Sequence, residues 1–538
     1  MKSKGWRIFL LAVIAVASFT QLSAAALEPG TYVPGRVLVK FNGSVDADAR
    51  LAIHGRVGTR IAQRFRLDAD LQMVTFPEEL DLGPILDFYQ SLPEVRYAEP
   101  DFIYHTQVIP GDARFGELWG MHNTGQSGGA FDADIDGPEG WDVNTDAAQI
   151  IIGSIDTGID VNHEDLAGNI WVNADEIPGN GVDDDSNGYI DDVNGYDFYN
   201  GDSNPYDDHS HGTHTMGTSA ARGDNGIGVA GAAWSARIMA LKVCSAGGSC
   251  NVSAAIAATD YATENGARLT SNSWGGGGFG QAMKDAIDRA DAAGVLYIAA
   301  AGNNGSNNDA SAFYPASYAS PNIISVASID RFGGKSSFSN YGATSVDLGA
   351  PGSSILSTTP GNGYSTFSGT SMACPHVTGV VANIMGFNPN LAHTEYKDIV
   401  MASVVPSDAM AGRTLTGGVL NLRNALDQTP PVIIPPGNNP PVADPGGPYK
   451  GRAFKAITFD GSGSFDPDAA ELSDYVSTYV WDFGDGSVVS TSTPTTTHIY
   501  GAGNNDYVVT LTVKDRYRIS GDPVTTTCRI RGGGRKAK

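Results

Sequence analysis

Asp156 ends the run Ile150-Ile-Ile-Gly-Ser-Ile-Asp156 and is followed by Thr157-Gly158. The run is short and apolar, so it reads as a buried strand with a carboxylate at its C-terminal end. In an open α/β sheet that edge is where ligands and catalytic groups collect. A buried Asp there can hold an imidazole and stabilise its charged form; it can equally cap the turn that follows. His211 stands in His209-Ser-His211-Gly-Thr-His214. Three histidines so close suit a metal cluster, but the spacing is not the helical i, i+4 pair with Glu that zinc peptidases use. The small residues after His211 suit a tightly packed helix that presents His211 from its N-terminal end, with His214 a structural neighbour. Ser371 lies in Gly369-Thr-Ser371-Met-Ala-Cys374-Pro375. The small apolar residues from Val377 to Met385 continue as a buried helix, with Pro375 expected in its first turn. Ser371 is then at a helix N-terminus, where the dipole and free N–H groups stabilise charge on an attacked carbonyl oxygen. An ordinary Ser N-cap is the plainer reading of the same residue.

The elements that must position these groups follow the same pattern. From about Asp112 to Leu426, short apolar strands alternate with helices of small residues. Strands are expected at Ile150–Ile155, Arg237–Val243, Gly294–Ala300 and Ile323–Ala327, and helices at Ser253–Asn265 and Gln281–Ala293. Strands separated by helices imply α/β architecture, a parallel sheet with helices on both faces. Ahead of it, Arg36–Phe41, Leu71–Phe76 and Val95–Pro100 read as extended, with helices at Ala47–Val57 and Leu82–Ser91, a small α+β unit. Behind it, the proline-rich stretch 428–441 forbids a helix and forms a stiff linker. Thr- and Val-rich segments such as Tyr507–Val513 then suggest an all-β sandwich.

The three segments, in the order Asp, His, Ser, match the signatures of the subtilisin-like serine proteases, and the chain is identified as resembling that family. A fourth segment, Ala299-Ala-Ala-Gly-Asn303-Asn304-Gly305, is similar to the family's oxyanion segment. The resemblance implies a serine endopeptidase with Asp156, His211 and Ser371 as the triad and Asn303 as oxyanion donor. It implies acyl transfer: His211 takes the Ser371 proton, Asp156 orients the imidazole, and water releases the acyl-enzyme. Activity is then expected to rise through about pH 7, because neutral His is the working base. Ser273-Trp274-Gly275-Gly276 resembles the strand that lines the substrate backbone and the S1 pocket. Phe313 is expected near the pocket floor or else in the core.

Calcium is the expected cofactor. Asp183, Asp185, Asn187, the Tyr189 carbonyl and Asp191 fit the first half of an EF-hand register. The place of its bidentate Glu is taken by Asn194, so Asp192 or a ligand from elsewhere in the chain is the expected substitute. By resemblance, Asp165 and Asn225 match the family's high-affinity calcium ligands. Both sites would stabilise the fold rather than take part in the chemistry. Cys244 and Cys250 flank a glycine-rich loop that a disulfide could close; Cys374 and Cys528 are expected to be buried thiols.

The N-terminus reads as an export signal: Lys2, Lys4 and Arg7, an apolar run from Ile8 to Phe19, then Ser23-Ala-Ala-Ala26. The expected order is signal 1–26, inhibitor-type propeptide 27–108, catalytic domain 109–428, linker 429–441, a PKD-type sandwich 442–531 and a tail 532–538. The propeptide and PKD assignments rest on resemblance, the latter carried by Trp481-Asp-Phe-Gly-Asp-Gly486 and Tyr507–Val513. The propeptide would assist folding, occupy the active site and be cut between Tyr104 and Phe115. The net charge of −25 argues against nucleic acid as a partner. The leader's apolar run is short for a membrane span, and no later segment reaches the length that a spanning helix requires. The expected protein is a secreted, extracellular monomer acting on proteins or peptides, with periplasmic or cell-surface location as variants. A dedicated processing protease and a surface-binding protein using its PKD domain are the competing readings.

Overall fold

The computed structural model describes residues 32–531, apart from 79, 104–107, 473, 492 and 502. The expected signal, the start of the propeptide, residues 104–107 near its end, and the tail lie outside the described residues.

The first unit is a four-stranded antiparallel sheet backed by two helices. It runs β1 (Tyr32–Phe41), α1 (Ala47–Arg56), β2 (Arg60–Phe65), β3 (Asp68–Thr75), α2 (Leu82–Gln90) and β4 (Val95–Phe102). Val37, Val39 and Phe41 alternate inward from β1 into its core. Asp46 and Asp81 cap the two helices, accepting from Ala49 N at 2.8 Å and Gly83 N at 3.0 Å. Strand β2 carries no sequence signal because it is an edge strand, exposed on both faces and without apolar alternation.

The rest of the chain is a second unit. It continues α3 (Gly137–Trp141), β5 (Ile151–Asp156), β6 (Gly195–Asp197), α4 (His211–Ala220), β7 (Arg237–Lys242), α5 (Val252–Glu264) and β8 (Leu269–Asn272). Next come α6 (Gln281–Ala292), β9 (Leu296–Ala300), β10 (Ile323–Ile329), β11 (Leu348–Pro351), and the hairpin β12 (Ile355–Thr359) and β13 (Gly363–Phe367). Then follow α7 (Thr370–Phe387), α8 (His393–Ala402), β14 (Val405–Pro406), β15 (Gly418–Val419) and α9 (Leu422–Gln428). The sheet order is β14-β15-β11-β10-β9-β8-β5-β7-β6, parallel except for the β14–β15 pair at one edge. Strands β5, β7, β8, β9 and β10 are buried at every residue, as expected of a parallel sheet covered on both faces.

Helix α7 starts earlier than the sequence suggests. Its first residue is Thr370, so Pro375 falls in the second turn rather than the first. Proline has no N–H to give the Ser371 carbonyl four residues back. The Ser273 hydroxyl makes that bond instead, at 2.9 Å, so the helix keeps the proline without an orphaned acceptor.

Past the linker, the sandwich is built from β16 (Tyr449–Arg452), β17 (Ala456–Asp460), β18 (Val476–Asp482), β19 (Val488–Thr491), β20 (Thr495–Ile499), β21 (Asp506–Asp515) and β22 (Val524–Arg531). A five-stranded sheet, β16-β22-β21-β18-β19, packs with the pair β17-β20 around Trp481, Phe459 and Phe483. It also meets the parallel-sheet domain. Lys514 pairs with Asp146 at 2.6 Å, and Arg518 donates to the Phe387 carbonyl at 3.1 Å and to Asn144 Oδ1 at 3.0 Å.

Candidate active site

Asp156 is the last residue of β5 and His211 the first of α4. They meet because Gly212 lets the helix start close to the strand end. A Cβ at Gly212 would stand 2.2 Å from the Gly158 carbonyl oxygen. Asp156 Oδ1 faces His211 Nδ1 at 2.7 Å and also accepts the Thr157 N–H at 2.7 Å. A buried carboxylate can only accept, so Nδ1 carries the proton and Nε2 keeps its lone pair.

A second carboxylate, missed in the sequence, fixes this corner. Asp207 is buried and accepts from His209 N, Ser210 N and Thr213 N at 3.0, 2.8 and 2.8 Å. It also accepts the Thr157 hydroxyl at 2.8 Å, while Thr157 Oγ1 takes the Gly212 N–H at 2.9 Å. The loop before α4 is thereby tied to the end of β5. Burial disfavours the charged form of His211, but the charges of Asp156 and Asp207 outweigh it, and its pKa stands above the ordinary value. Nothing short of the folded loop marks Asp207 out from its neighbour Asp208.

Ser371 is the second residue of α7. Its Oγ donates to the Ser273 carbonyl at 2.9 Å. Asn303 follows β9 by three residues, and its Oδ1 accepts from Thr370 N at 2.8 Å and Thr370 Oγ1 at 3.0 Å. Two donors on the oxygen fix the amide's orientation, so Nδ2 is left as a donor beside the start of α7. Asp156, His211, Ser371 and Asn303 all line one cleft of about 580 Å³. Ser273, Trp274, Gly275, Gly276 and Phe313 line it too, and Phe313 packs against Gly275, where a Cβ would meet its ring. Cys244 and Cys250, joined by a disulfide, form part of another wall.

His214 is fully buried against the β12–β13 hairpin. Nε2 lies 3.1 Å from the Ile355 carbonyl and 3.0 Å from that of Ser365, and burial pushes its pKa down to about 4. Cys374 and Cys528 are buried thiols, and burial lifts the first to about 11.

The acidic loop forms a compact group, though not in full EF-hand register. Carboxylate oxygens of Glu176, Asp183 and Asp185 lie within 4.8 Å of one another. Asn187 joins them, its Nδ2 donating to Asp185 at 2.9 Å and to Asp192 at 2.9 Å. Asp192 is buried and also takes Asn173 Nδ2 at 3.0 Å. Asp191 turns away onto Asn180 N and Gly181 N, at 3.1 and 2.9 Å. The Tyr189 ring packs against Phe198 and Tyr261. Glu176 is the member of the group that the sequence hid, because it precedes Asp183 instead of following it.

Asp165 and Asn225 do meet, with Asn225 Nδ2 donating to Asp165 Oδ1 at 2.9 Å. Nearby Asp112 accepts Asp224 N at 2.6 Å through Oδ2, while its buried Oδ1 has no hydrogen-bond partner. Burial, with the Asp165 charge adding to it, lifts Asp112 to about 6. Two close carboxylates and an orphaned oxygen fit a hard cation with oxygen ligands. Asp112 carried no signal in the sequence.

Comparison with known proteins places these features in a family. Residues 147–427 match the Subtilase family, 438–530 match the PKD domain, and 20–101 match the Fervidolysin N-terminal prodomain. A Thermophilic serine proteinase of Bacillus sp. (strain AK1) is 34% identical over 357 residues, 66% of this chain and 79% of that protein. Fervidolysin of Fervidobacterium pennivorans is 31% identical over 419 residues, 68% of this chain and 54% of that protein. Thermitase of Thermoactinomyces vulgaris is 39% identical over 246 residues, 46% of this chain and 78% of that protein.

Proposed function

Because the chain belongs to the Subtilase family and is a subtilisin-like serine protease with a fervidolysin-like prodomain, we propose that it is an exported, calcium-stabilised endopeptidase that matures from its own zymogen. Ser371 is the nucleophile. It turns from the Ser273 carbonyl to give its proton to His211 Nε2 as Oγ attacks a substrate carbonyl. Asp156 holds the imidazole and offsets the charge of the imidazolium. Asn303 Nδ2 and the N–H at the start of α7 receive the oxyanion. His211 then protonates the leaving amine, and water releases the acyl-enzyme. The observation that carries this reading is the 2.7 Å Asp156–His211 pair opening into the same cleft as Ser371 and the oriented Asn303.

The segment Ser273–Gly276 pairs with an extended substrate as an added strand, and Phe313 narrows the floor of the side-chain pocket. Calcium is held at two places: Glu176, Asp183, Asp185, Asn187 and Asp192 in one, Asp165, Asn225 and Asp112 in the other. Bound calcium supplies charge neutralisation and fixes these loops; it takes no part in the chemistry. The leader at 1–26 directs export, 27–108 is the inhibitory propeptide, 109–428 the protease and 442–531 the PKD sandwich. Among the described residues no helix is long and apolar enough to cross a membrane.

Intact mass and casein hydrolysis, compared between the wild type and Ser371→Ala, test this. The reading expects the wild type to lose its N-terminal segment and cut casein while the variant does neither. A variant that is processed but cannot cut casein assigns maturation to another protease. Equal hydrolysis by both removes Ser371 from the chemistry.

A further inference from the structure

Two segments flank the nucleophile. The Ser273 carbonyl accepts the Ser371 hydroxyl at 2.9 Å, and Asn303 Oδ1 accepts Thr370 N at 2.8 Å. When a substrate carbonyl carbon reaches Ser371 Oγ with its oxygen at Asn303 Nδ2, the side chain of that same residue hangs from the adjoining carbon. The recess open to it lies between the segment 273–277 on one side and Gly302 and Asn303 on the other, all of which line the cleft. The protein has already filled that recess. A Cβ at Gly275 would stand 2.3 Å from Phe313 Cε1 and 2.9 Å from Cζ. A Cβ at Gly302 would stand 3.0 Å from Phe313 Cδ2. Cε1 and Cδ2 are para to one another, so opposite edges of the one ring press on opposite walls. The recess is therefore a single aromatic ring wide at this level, and Phe313 is the ring.

Neither the ring nor the walls are free to give way. The Phe313 N–H donates to Ser317 Oγ at 3.0 Å, and the Phe313 carbonyl accepts Ser317 N at 2.9 Å. The next carbonyl, that of Tyr314, accepts the Gly276 N–H at 2.8 Å, which ties the backbone beside the ring to one wall. The other wall is held from behind by Asn340, which is buried. Asn340 N donates to the Gly302 carbonyl at 2.9 Å, and Asn340 Oδ1 accepts Asn304 N at 2.9 Å and Ser306 N at 3.0 Å. Widening the recess would break these bonds, and swinging the ring out would leave a void between two packed segments. The ring also stops one residue short of Asn303, so the depth left above it takes a hydrogen, a methyl or a hydroxymethyl group and little more.

We propose that Phe313 plugs the side-chain recess, so that the enzyme cuts peptide bonds whose acyl residue is glycine, alanine or serine and rejects those with leucine, methionine or an aromatic residue there. This rests on the endopeptidase mechanism proposed above and adds to it a substrate class: chains rich in small residues. The discrimination is steric. A larger acyl side chain meets a ring that is packed on both edges, so its carbonyl stops short of Ser371 Oγ and the oxyanion forms out of reach of Asn303 Nδ2. A small side chain leaves the plug in place and lets the carbonyl seat. One misplaced methylene in an apolar pocket changes kcat/KM by roughly 10–200-fold, and a leucine or phenylalanine carries several carbons too many.

The mature enzyme is tested on peptide anilides that differ only in the acyl residue: glycine, alanine, serine, leucine or phenylalanine. Competent sites are counted with a fluorophosphonate, so that kcat/KM refers to folded enzyme alone. The alanine and serine substrates should exceed the leucine and phenylalanine ones by at least about a hundredfold. Phe313→Ala empties the recess, and the ratio of kcat/KM for the phenylalanine substrate to that for the alanine substrate should rise by about a hundredfold or more. That is a gain of activity, which a loosened fold does not produce. Phe313→Leu keeps a shorter apolar plug and should fall between the two. A wild type that cuts after phenylalanine as fast as after alanine would overturn the proposal, because the ring then moves aside. A ratio that stays put in Phe313→Ala would overturn it too, since another group then sets the preference. Failure on all five substrates, in protein whose Ser371 does not label, would overturn the mechanism itself and this reading with it, an outcome distinct from the other two.

Discussion

The bond from Ser273 Oγ to the Ser371 carbonyl, 2.9 Å long, is there because Pro375 cannot supply the helical N–H. Replacing Ser273 by Ala leaves that partly buried carbonyl without a donor. An unsatisfied backbone acceptor costs about 1–3 kcal/mol. Partial exposure places this one near the lower half of that range, about 1–2 kcal/mol. In a domain this large each kcal/mol moves Tm by roughly 2 °C, so the loss should be roughly 2–4 °C. The compensation can be tested directly. Pro375→Ala restores an N–H at the right position, so Ser273→Ala/Pro375→Ala should lose less than the sum of the two single changes. A coupling of about 1 kcal/mol is expected, since both act on one acceptor. The assay is a thermal melt in the Ser371→Ala background, which keeps the carbonyl and removes self-digestion, at fixed calcium. A Tm for Ser273→Ala within about 0.5 °C of the parent refutes the reasoning, a shift that small being well under 1 kcal/mol. Strict additivity in the double variant refutes it as well.

Other consequences follow from the same geometry. Asn303→Leu keeps the side-chain volume but removes the oriented Nδ2 donor; kcat for a peptide anilide should fall at least a hundredfold, by about 3 kcal/mol of transition-state stabilisation, with KM nearly unchanged. The proposed mechanism uses the neutral form of His211, whose pKa stands above the ordinary imidazole value of 6.5. The acid limb of kcat/KM should therefore lie above pH 6.5, with activity growing as pH rises through it. Asp207→Asn removes one of the charges that raise it and should move that limb to lower pH, a shift that general loosening of the fold would not produce. Removing calcium with EDTA should lower the Tm of the protease domain, and Asp185→Asn should reduce the difference between melts with and without calcium.

Asp156, His211 and Ser371 could be picked out in the sequence because each sits where an element begins or ends, and such junctions leave marks: an apolar run ending at Asp156, small residues after His211 and after Ser371. The supporting groups were not legible. Asp207, Thr157 and Thr370 act through bonds to residues distant in the chain, and nothing in their local context separates them from ordinary loop polar residues. Asp112 and Glu176 reach their acidic neighbours only in the folded structure. Asp191 fits an EF-hand register by spacing, yet its loop bends it onto the turn at Asn180 and Gly181, because backbone direction is set by packing rather than by count. Pro375 misled for a related reason. A proline inside a helix usually breaks it, but the third-dimension neighbour Ser273 fills the gap it leaves. Strand β2 and the hairpin β12–β13 lacked apolar alternation because one is an exposed edge and the other lies outside the main sheet.

The central claim is that Ser371 is a nucleophile activated by His211. A fluorophosphonate reacts covalently with such a serine, losing fluoride and adding one phosphonyl group. The mature enzyme should gain a single adduct that maps to Ser371, in step with loss of peptidase activity, and the rate of labelling should collapse in His211→Ala. Labelling at another residue, or full peptidase activity in protein whose Ser371 is modified, would contradict the account.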